Sequence, residues 1–224
     1  MFVVKPQKLE KTLTWEGFEA VTVSVTYPSL SGRGCFVGRF NRFYRREAGK
    51  VLALARKKLY PRAVAALGHA LGENAVFRPY TLSATYTVTL CDGGIVSLYR
   101  DLYTDTGGAH GSTLRQSESW SGKSGWLLRL EQFFPRGQNY RRLLTDNAIA
   151  LAAAALAQGT GAFFEDYEKR LRRCFSSCSY YLTSAGIAVY YQQYAVAPYA
   201  AGIPTFLYPW EKAAWKQLPD ITVL

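Results

Sequence analysis

Residues 80–103 read YTLSATYTVTLCDGGIVSLYRDLY, and this stretch decides the fold class. From Tyr80 to Leu90, apolar side chains alternate with Ser and Thr, which is the period of a half-buried β-strand. Asp92-Gly93-Gly94 is a hairpin-turn signal, and residues 95–103 predict the partner strand. We therefore expect consecutive antiparallel strands here, since so short a connection cannot join a parallel pair.

Further strands and helices are predicted on both sides of this hairpin. Residues 12–26 predict a strand that Pro28 ends, and residues 41–59 predict a helix that Asn41 caps and Pro61 ends or kinks. Toward the C-terminus the patterns predict a polar strand ending near residue 120, helices at 139–156 and 163–175, and strands at 180–182 and 186–194. Residues 206–211 are expected to lead to a short terminal helix or extension. The expected class is α+β, with an antiparallel sheet packed against helices in a single composite domain. A division into residues 1–72 and 73–224 is the expected internal boundary.

The composition limits which classes of protein and of binding partner are expected. The chain has 224 residues, of which 49% are hydrophobic, enough for a sizeable core. The formal net charge of +11 favours anionic partners, such as nucleic acid, anionic lipid or an acidic wall polymer. A merely basic, soluble surface is the alternative interpretation of the same charge.

The most concentrated charge lies on the helix predicted at residues 41–59. Apolar side chains there recur at helical spacing, and the remaining positions are basic, with Glu47 as the single acid. The candidate polyanion-binding residues are Arg42, Arg45, Arg46, Lys50, Arg56 and Lys57. Such a face binds a polyanion by releasing counterions, although a solvated helix face is the commoner case. No helix-turn-helix or zinc-finger pattern supports the readout of duplex DNA.

A glycine-rich turn carries the candidate catalytic residues. His110 follows Gly107 and Gly108 closely, and Asp105 precedes them, so one hypothesis is a catalytic or ligand-binding imidazole oriented by a carboxylate. Gly107, Gly108 and His110 are therefore also candidate binding residues. The alternative is structural, with glycines supplying positive φ and His110 bonding the turn's backbone. Gly107 and Gly108 do not form a phosphate loop, because no Gly-Lys-Ser/Thr follows.

Tyrosines near the C-terminus are candidate binding residues. Tyr191, Tyr194 and Tyr199 could line a groove for sugar rings or a peptide, while packing of a sheet against helices is the alternative. Gln192 and Gln193 are expected as polar contacts at a strand edge.

Metal and cofactor sites are not predicted. Cys174 and Cys178 are the only close cysteines, and neither histidine lies near them in sequence, so the pattern of a zinc site is incomplete. The sequence is compatible with a disulfide between these two cysteines and equally with two free thiols. No secretory signal and no run of about 20 apolar residues is visible, which predicts either a cytoplasmic chain or a trimmed exported one.

Two stretches carry a family resemblance, namely Thr106-Gly107-Gly108-Ala109-His110-Gly111 and VYYQQYAVAPYAAG at residues 189–202. Together they resemble the family called domain of unknown function 3298, over roughly residues 75–210. This family forms the extracytoplasmic C-terminal domain of RsiV-type anti-sigma factors. The first strand and helix resemble the small partner domain that often precedes it. The resemblance implies an extracytoplasmic, non-catalytic domain that binds lysozyme.

The predicted function is a non-catalytic binding or sensory domain of bacterial cell-envelope type. Its expected ligand is a wall polymer or a protein, with an anionic partner favoured by the charge. Lysozyme is disfavoured because animal-type lysozymes are themselves cationic, and two positive surfaces repel. The alternatives are a hydrolase using His110 and Asp105, and polyanion or nucleic-acid binding through the basic helix.

Overall fold

A computed structural model of the chain describes residues 2–211. The strands are β1 (Val4–Trp15), β2 (Phe18–Leu30), β3 (Tyr80–Asp92), β4 (Ile95–Asp105), β5 (Ser112–Ser121), β6 (Tyr180–Thr183), β7 (Gly186–Tyr190) and β8 (Thr205–Pro209). The α-helices are α1 (Cys35–Leu54), α2 (Tyr60–Gly72), α3 (Tyr140–Ala157) and α4 (Tyr167–Arg173). Strands β1 to β5 form one sheet in sequential order, and β6 to β8 form a second. The predicted α+β class is confirmed.

The chain divides into two compact units, each of which is built from two separate stretches of the sequence. Among the described residues, one unit contains Phe2–Tyr86 and Arg100–Leu114, and the other contains Thr87–Tyr99 and residues 115–211. Each unit has its own hydrophobic core. In the first, β2 and the two N-terminal helices bury Val21, Val23 and Leu59, and in the second, α3 and β7 bury Leu144 and Ile187. The division at residue 72 stays a prediction.

The N-terminal hairpin differs from the predicted single strand. Residues 12–26 contain the end of β1, a turn at Glu16 and Gly17, and the start of β2. Both turn residues have positive φ, 49° and 85°, as in a hairpin turn whose twist matches that of the strands. Glu-Gly is not one of the dipeptides that signal this turn, and the sequence prediction therefore missed it.

The sequence predicted that Pro28 ends this strand, and that prediction is wrong. Pro28 lies within β2 and faces Pro6 of β1. Two facing prolines fit a non-hydrogen-bonded pair of an antiparallel ladder, because the N–H positions there point away from the partner strand. The parallel pairing of β2 with β3 extends only from Val21 to Val25, so Pro28 interrupts no ladder on that side either.

The basic helix is longer than predicted and is not capped by Asn41. Helix α1 begins at Cys35, and a π-helical turn at Ala55–Leu59 joins it to α2. The side chain of Asn41 instead pairs with Leu30, accepting from its N–H (2.7 Å) and donating to its carbonyl (3.0 Å). Pro61 lies in the first turn of α2, directly after the π-helical turn, where a missing N–H is tolerated.

The C-terminal half keeps the predicted order, with altered bounds. Asn139 caps α3 by accepting a hydrogen bond from Arg142 N–H (3.0 Å), as the predicted start implied. The helix predicted at residues 163–175 is only Tyr167–Arg173, and residues 205–209 form β8, which the sequence did not predict. The predicted terminal helix lies outside the described residues.

Candidate functional site

The basic face is formed by one side of the α1–α2 rod. The opposite side of the rod is buried in the core of its unit, through Phe40, Tyr44, Ala55 and Leu59. The basic side chains therefore point to solvent. Those exposed are Arg42, Arg45, Arg46, Lys50, Arg56, Lys57, Lys58 and Arg62, which include all six predicted polyanion candidates. We call these eight residues the basic face.

The single acid within this run is neutralised locally. The carboxylate of Glu47 lies 2.7 Å from Lys50 Nζ and 3.7 Å from an Arg100 guanidinium nitrogen. Arg100 in turn lies against the rings of Phe43 and Tyr44. The other seven members of the basic face have no carboxylate partner among residues 2–211. From Arg42 to Arg62 the face extends for about 30 Å at the helical rise.

The Asp105–His110 turn connects β4 to β5. Asp105 Oδ1 accepts a hydrogen bond from Gly107 N–H (2.8 Å), and its Oδ2 accepts one from the Tyr103 hydroxyl (3.3 Å). His110 is exposed, and its Nδ1 lies 3.1 Å from the carbonyl oxygen of Gly111. Both oxygens of Asp105 are thus engaged in holding the turn.

Glycines shape the same turn. Gly107 has φ of 77°, which L side chains rarely adopt. Gly111 is buried, and a Cβ built there would overlap the ring of Tyr103. Gly108 has neither constraint, since nothing lies within 4 Å of a Cβ built there. Backbone geometry and ring packing therefore account for Gly107 and Gly111.

The three predicted binding tyrosines lie in different environments. Tyr191 is buried in the core, donates from its hydroxyl to the Leu171 carbonyl (3.0 Å), and has its pKa raised by burial. Tyr194 follows β7 with 49% of its side chain exposed, and its ring centroid lies 5.9 Å from that of Tyr199. Tyr194 and Tyr199 are therefore the members of this set that reach the surface.

Gln192 makes the strand-edge contact that the sequence predicted. Its side-chain Oε1 accepts from Arg115 N–H (3.0 Å), and its Nε2 donates to the Arg115 carbonyl (2.7 Å). The Arg115 guanidinium carbon lies 3.7 Å from the ring centroid of Tyr99. Neither Arg115 nor Tyr99 was a sequence candidate, because nothing in their local pattern signals this long-range pairing.

A cavity of about 650 Å³ was also missed from the sequence. It lies in the unit that contains α3, between the end of that helix, the following loop and the start of β8. Its wall contains no charged residue and is lined by Leu151, Ala155, Gly159 to Phe163, Ala200, Ala201 and Pro204 to Phe206. These segments are distant in sequence, so no local motif could have predicted the cavity.

Cys174 and Cys178 are not joined by a disulfide, and the Cys174 thiol lies 3.9 Å from the Ala195 carbonyl oxygen. Within residues 2–211, no three His, Cys, Asp or Glu side chains come together in a group suited to a metal ion. None of the helices in that range is long and apolar enough to cross a membrane.

Two family models match parts of the chain. Residues 16–113 match the model described as Deacetylase PdaC, and residues 131–211 match the model described as Protein of unknown function (DUF3298). The predicted DUF3298 resemblance is thus confirmed over a narrower range. The turn at residues 106–111 belongs to the PdaC-type segment, whereas residues 189–202 belong to the DUF3298 segment.

Solved structures share the fold. A DUF3298 family protein from Pseudomonas aeruginosa PAO1 is 18% identical, with a TM-score of 0.62, over 95% of this chain and 92% of its own. A member of the DUF3298 family from Bacteroides fragilis NCTC 9343 is 19% identical, with a TM-score of 0.65, over 94% of this chain and 91% of its own. No curated protein matches the chain.

Proposed function

We propose that the chain is a non-catalytic binding domain of bacterial cell-envelope type, whose ligand is an anionic wall polymer held by the basic face. The envelope setting rests on the resemblance of the DUF3298 segment to the extracytoplasmic domain of RsiV-type anti-sigma factors. The ligand class rests on the charge and geometry of this chain. Both parts are testable separately.

The observation that carries the proposal is the continuity of the basic face. Seven exposed cations without a carboxylate partner follow one rod, while Glu47 is already neutralised by Lys50 and Arg100. A linear phosphate-bearing polymer laid along such a face releases its condensed counterions, and this release supplies binding free energy without shape-specific contacts. Polymer binding is therefore favoured over binding of a single small anion.

The contacts of the Asp105–His110 turn favour a structural role over hydrolysis. A catalytic imidazole needs a carboxylate to orient it and a nucleophile to activate. Here the Asp105 oxygens hold Gly107 and Tyr103, and His110 Nδ1 lies at its own turn's backbone. We expect His110→Ala to leave polymer binding unchanged, and hydrolysis of wall material that is lost in this variant would restore the hydrolase hypothesis.

A lysozyme-sensing role is disfavoured by the same basic face. Animal-type lysozymes are cationic, so their approach to seven unneutralised cations is repelled. The free domain, without polymer, is therefore expected not to associate with lysozyme at low salt.

The decisive experiment is a pull-down on purified peptidoglycan with and without covalently attached teichoic acid. Retention should require teichoic acid, and it should fall steeply as salt is raised. The test variant replaces Arg42, Arg45 and Arg46 by Gln. The matched control replaces Lys5, Lys8 and Lys11 of β1 by Gln, which removes the same charge from exposed positions of the same unit.

The proposal predicts that the Arg variant loses retention and that the Lys variant keeps most of it. Equal loss in both would mean that net charge alone drives binding. Retention on teichoic-acid-free peptidoglycan, unaffected by salt, would refute the basic face as the binding surface. A gel shift on single-stranded DNA decides the ligand class, because tighter binding there than to teichoic acid by about tenfold would replace the wall polymer with nucleic acid.

A further inference from the structure

Strand β1 lies at one edge of the five-stranded sheet, and its outer side is open. Within residues 2–211, β2 is the only strand that pairs with it. Its side chains from Lys5 to Lys8 and from Glu10 to Thr12 are exposed, so no other part of that range covers the edge. A long exposed edge presents unpaired N–H and C=O groups to which another strand can pair.

The β1–β2 ladder determines which backbone groups of β1 point outward. Ser31 N–H donates to the Val3 carbonyl (3.1 Å), which places the odd-numbered residues of β1 in the hydrogen-bonded pairs with β2. Pro6 faces Pro28, which agrees with non-hydrogen-bonded pairs at the even-numbered positions. This alternation continues to Leu13, where the register shifts. The even-numbered residues before that point therefore direct their backbone polar groups away from β2, and they are Val4, Pro6, Lys8, Glu10 and Thr12.

Two of these outward-facing residues carry opposite charges. Lys8 lies opposite Thr26 of β2, and Glu10 lies opposite Ser24. Neither Lys8 nor Glu10 forms an ion pair within the described part of the chain. Both lie on the sheet face opposite to that of Leu9, which packs against the core of its unit. A strand added to β1 therefore meets a cation and an anion on the same face, two residues apart.

We propose that two copies of this chain pair through β1 in an antiparallel register, with Lys8 of each copy opposite Glu10 of the other. Since both positions face outward, each such pair exchanges both of its backbone hydrogen bonds and brings its side chains together as a cross-strand ion pair. Leu9 then lies opposite Leu9 in the closer, non-hydrogen-bonded position, on the two-fold axis. The interface is isologous, because each copy contributes the same residues. It uses no residue of the basic face.

The charges of β1 favour this register over its neighbours. Lysines and prolines on an edge strand commonly oppose edge pairing. A shift of one residue would set outward-facing backbone groups against inward-facing ones and break the ladder. A shift of two residues would set Lys8 against Lys8 or Glu10 against Glu10, and like charges directly opposite are destabilising. Pro6, which lacks an N–H, lies opposite Thr12 at the end of the proposed ladder, where one missing donor is tolerated.

The geometry places the two helical layers on the same side of the joined sheet, because the two-fold axis of an antiparallel edge pair is perpendicular to the sheet. The basic faces of the two copies then lie on one side of the dimer. The charge of +11 on each copy opposes association, and a single pair of strand edges forms a small interface. A dissociation constant of about 100 µM is therefore expected, so the chain is mostly monomeric at the low micromolar concentrations of a pull-down.

The test is sedimentation velocity of the full chain from about 10 µM to about 1 mM, with charge-exchange variants. Lys8→Glu and Glu10→Lys each set like charges opposite one another twice in the dimer, so each should weaken dimerisation about tenfold or more. The two changes alter net charge in opposite directions, so a loss common to both cannot come from net charge. The variant that carries both changes should dimerise within about threefold of the unmodified chain. An equimolar mixture of the two single variants should form the heterodimer.

Amide hydrogen exchange tests whether the edge itself is the interface. Exchange at Lys8, Glu10 and Thr12 should slow as the concentration of the chain rises, whereas Leu9 and Lys11 already donate within the β1–β2 ladder and should not change. A dimer whose formation leaves exchange at the outward-facing positions unchanged would overturn the proposal.

The sedimentation results can also overturn it. A chain that stays monomeric at about 1 mM would do so, as would single variants that dimerise as tightly as the unmodified chain, or a double variant that does not regain dimerisation. Replacing Arg42, Arg45 and Arg46 by Gln should not weaken the dimer, so failure of polymer binding and failure of dimerisation are observed separately.

Discussion

Gly111→Ala tests whether the turn at residues 105–111 is built for structure. A Cβ at this buried position overlaps the outer ring atoms of Tyr103, so the ring must swing aside. Overpacking of this kind costs about 1–3 kcal/mol. The displaced Tyr103 hydroxyl also loses its 3.3 Å hydrogen bond to Asp105, which adds about 1 kcal/mol. Because Tyr103 is only half-buried and its outer ring atoms can move, the expected loss in the free energy of unfolding is at the lower end, about 1–2 kcal/mol.

The assay is urea unfolding of a matched series of variants. Gly108→Ala is the control, because nothing lies within 4 Å of a Cβ built there, and it should stay within about 0.5 kcal/mol of the unmodified chain. Gly107→Ala should cost about 1 kcal/mol through its φ of 77°. His110→Ala at an exposed position should be nearly neutral. A Gly111→Ala variant as stable as Gly108→Ala would refute the packing account of this turn.

Three further stability changes follow from buried polar groups and from a helix cap. Ser97→Ala should cost about 1–3 kcal/mol in urea unfolding, because the fully buried Ser97 hydroxyl accepts from Leu182 N–H (2.8 Å), which would be left unsatisfied. Burial raises the pKa of Tyr180 well above its usual range. The folded state therefore holds that proton longer than the unfolded state, so the contribution of Tyr180 to stability should be constant below about pH 10 and fall above it. Tyr180→Phe should flatten this fall, and an unchanged pH profile would contradict the assignment. Asn139→Ala should cost about 1 kcal/mol through loss of the α3 cap, and an unchanged thermal midpoint would contradict it.

Local periodicity predicted the elements that depend on it. The strands around Asp92-Gly93-Gly94, the start of α3 at Asn139, and the turn before Gly186 follow from alternation, capping and turn residues. Elements that depend on tertiary pairing were missed. β8 forms because residues 205–209 pair with β7, although Pro204 and Pro209 suggest a loop. Asn41 is a good cap residue by type, but α1 already begins at Cys35. The Asn41 side chain makes two hydrogen bonds to Leu30 instead of capping a helix.

The candidate sites divide in the same way. The basic face was visible in the sequence because charge and helical spacing are local properties of residues 42–58. The cavity was not visible, because its walls come from residues 151–163 and 200–206. The burial of Tyr191 and the exposure of Tyr194 could not be distinguished either, since β7 ends at Tyr190 and the strand period stops before both residues.

The most direct test of the basic face is the salt dependence of teichoic acid binding, followed by fluorescence anisotropy of the labelled polymer. Seven cations without a carboxylate partner would neutralise up to seven phosphates. A flexible polyanion releases about 0.7 counterion per phosphate, so a plot of log K against log salt should have a slope of about −3 to −5. Replacing Arg42, Arg45 and Arg46 by Gln should make that slope shallower by about two. A slope near zero, or one that this variant leaves unchanged, would contradict the proposal that the basic face binds the polymer.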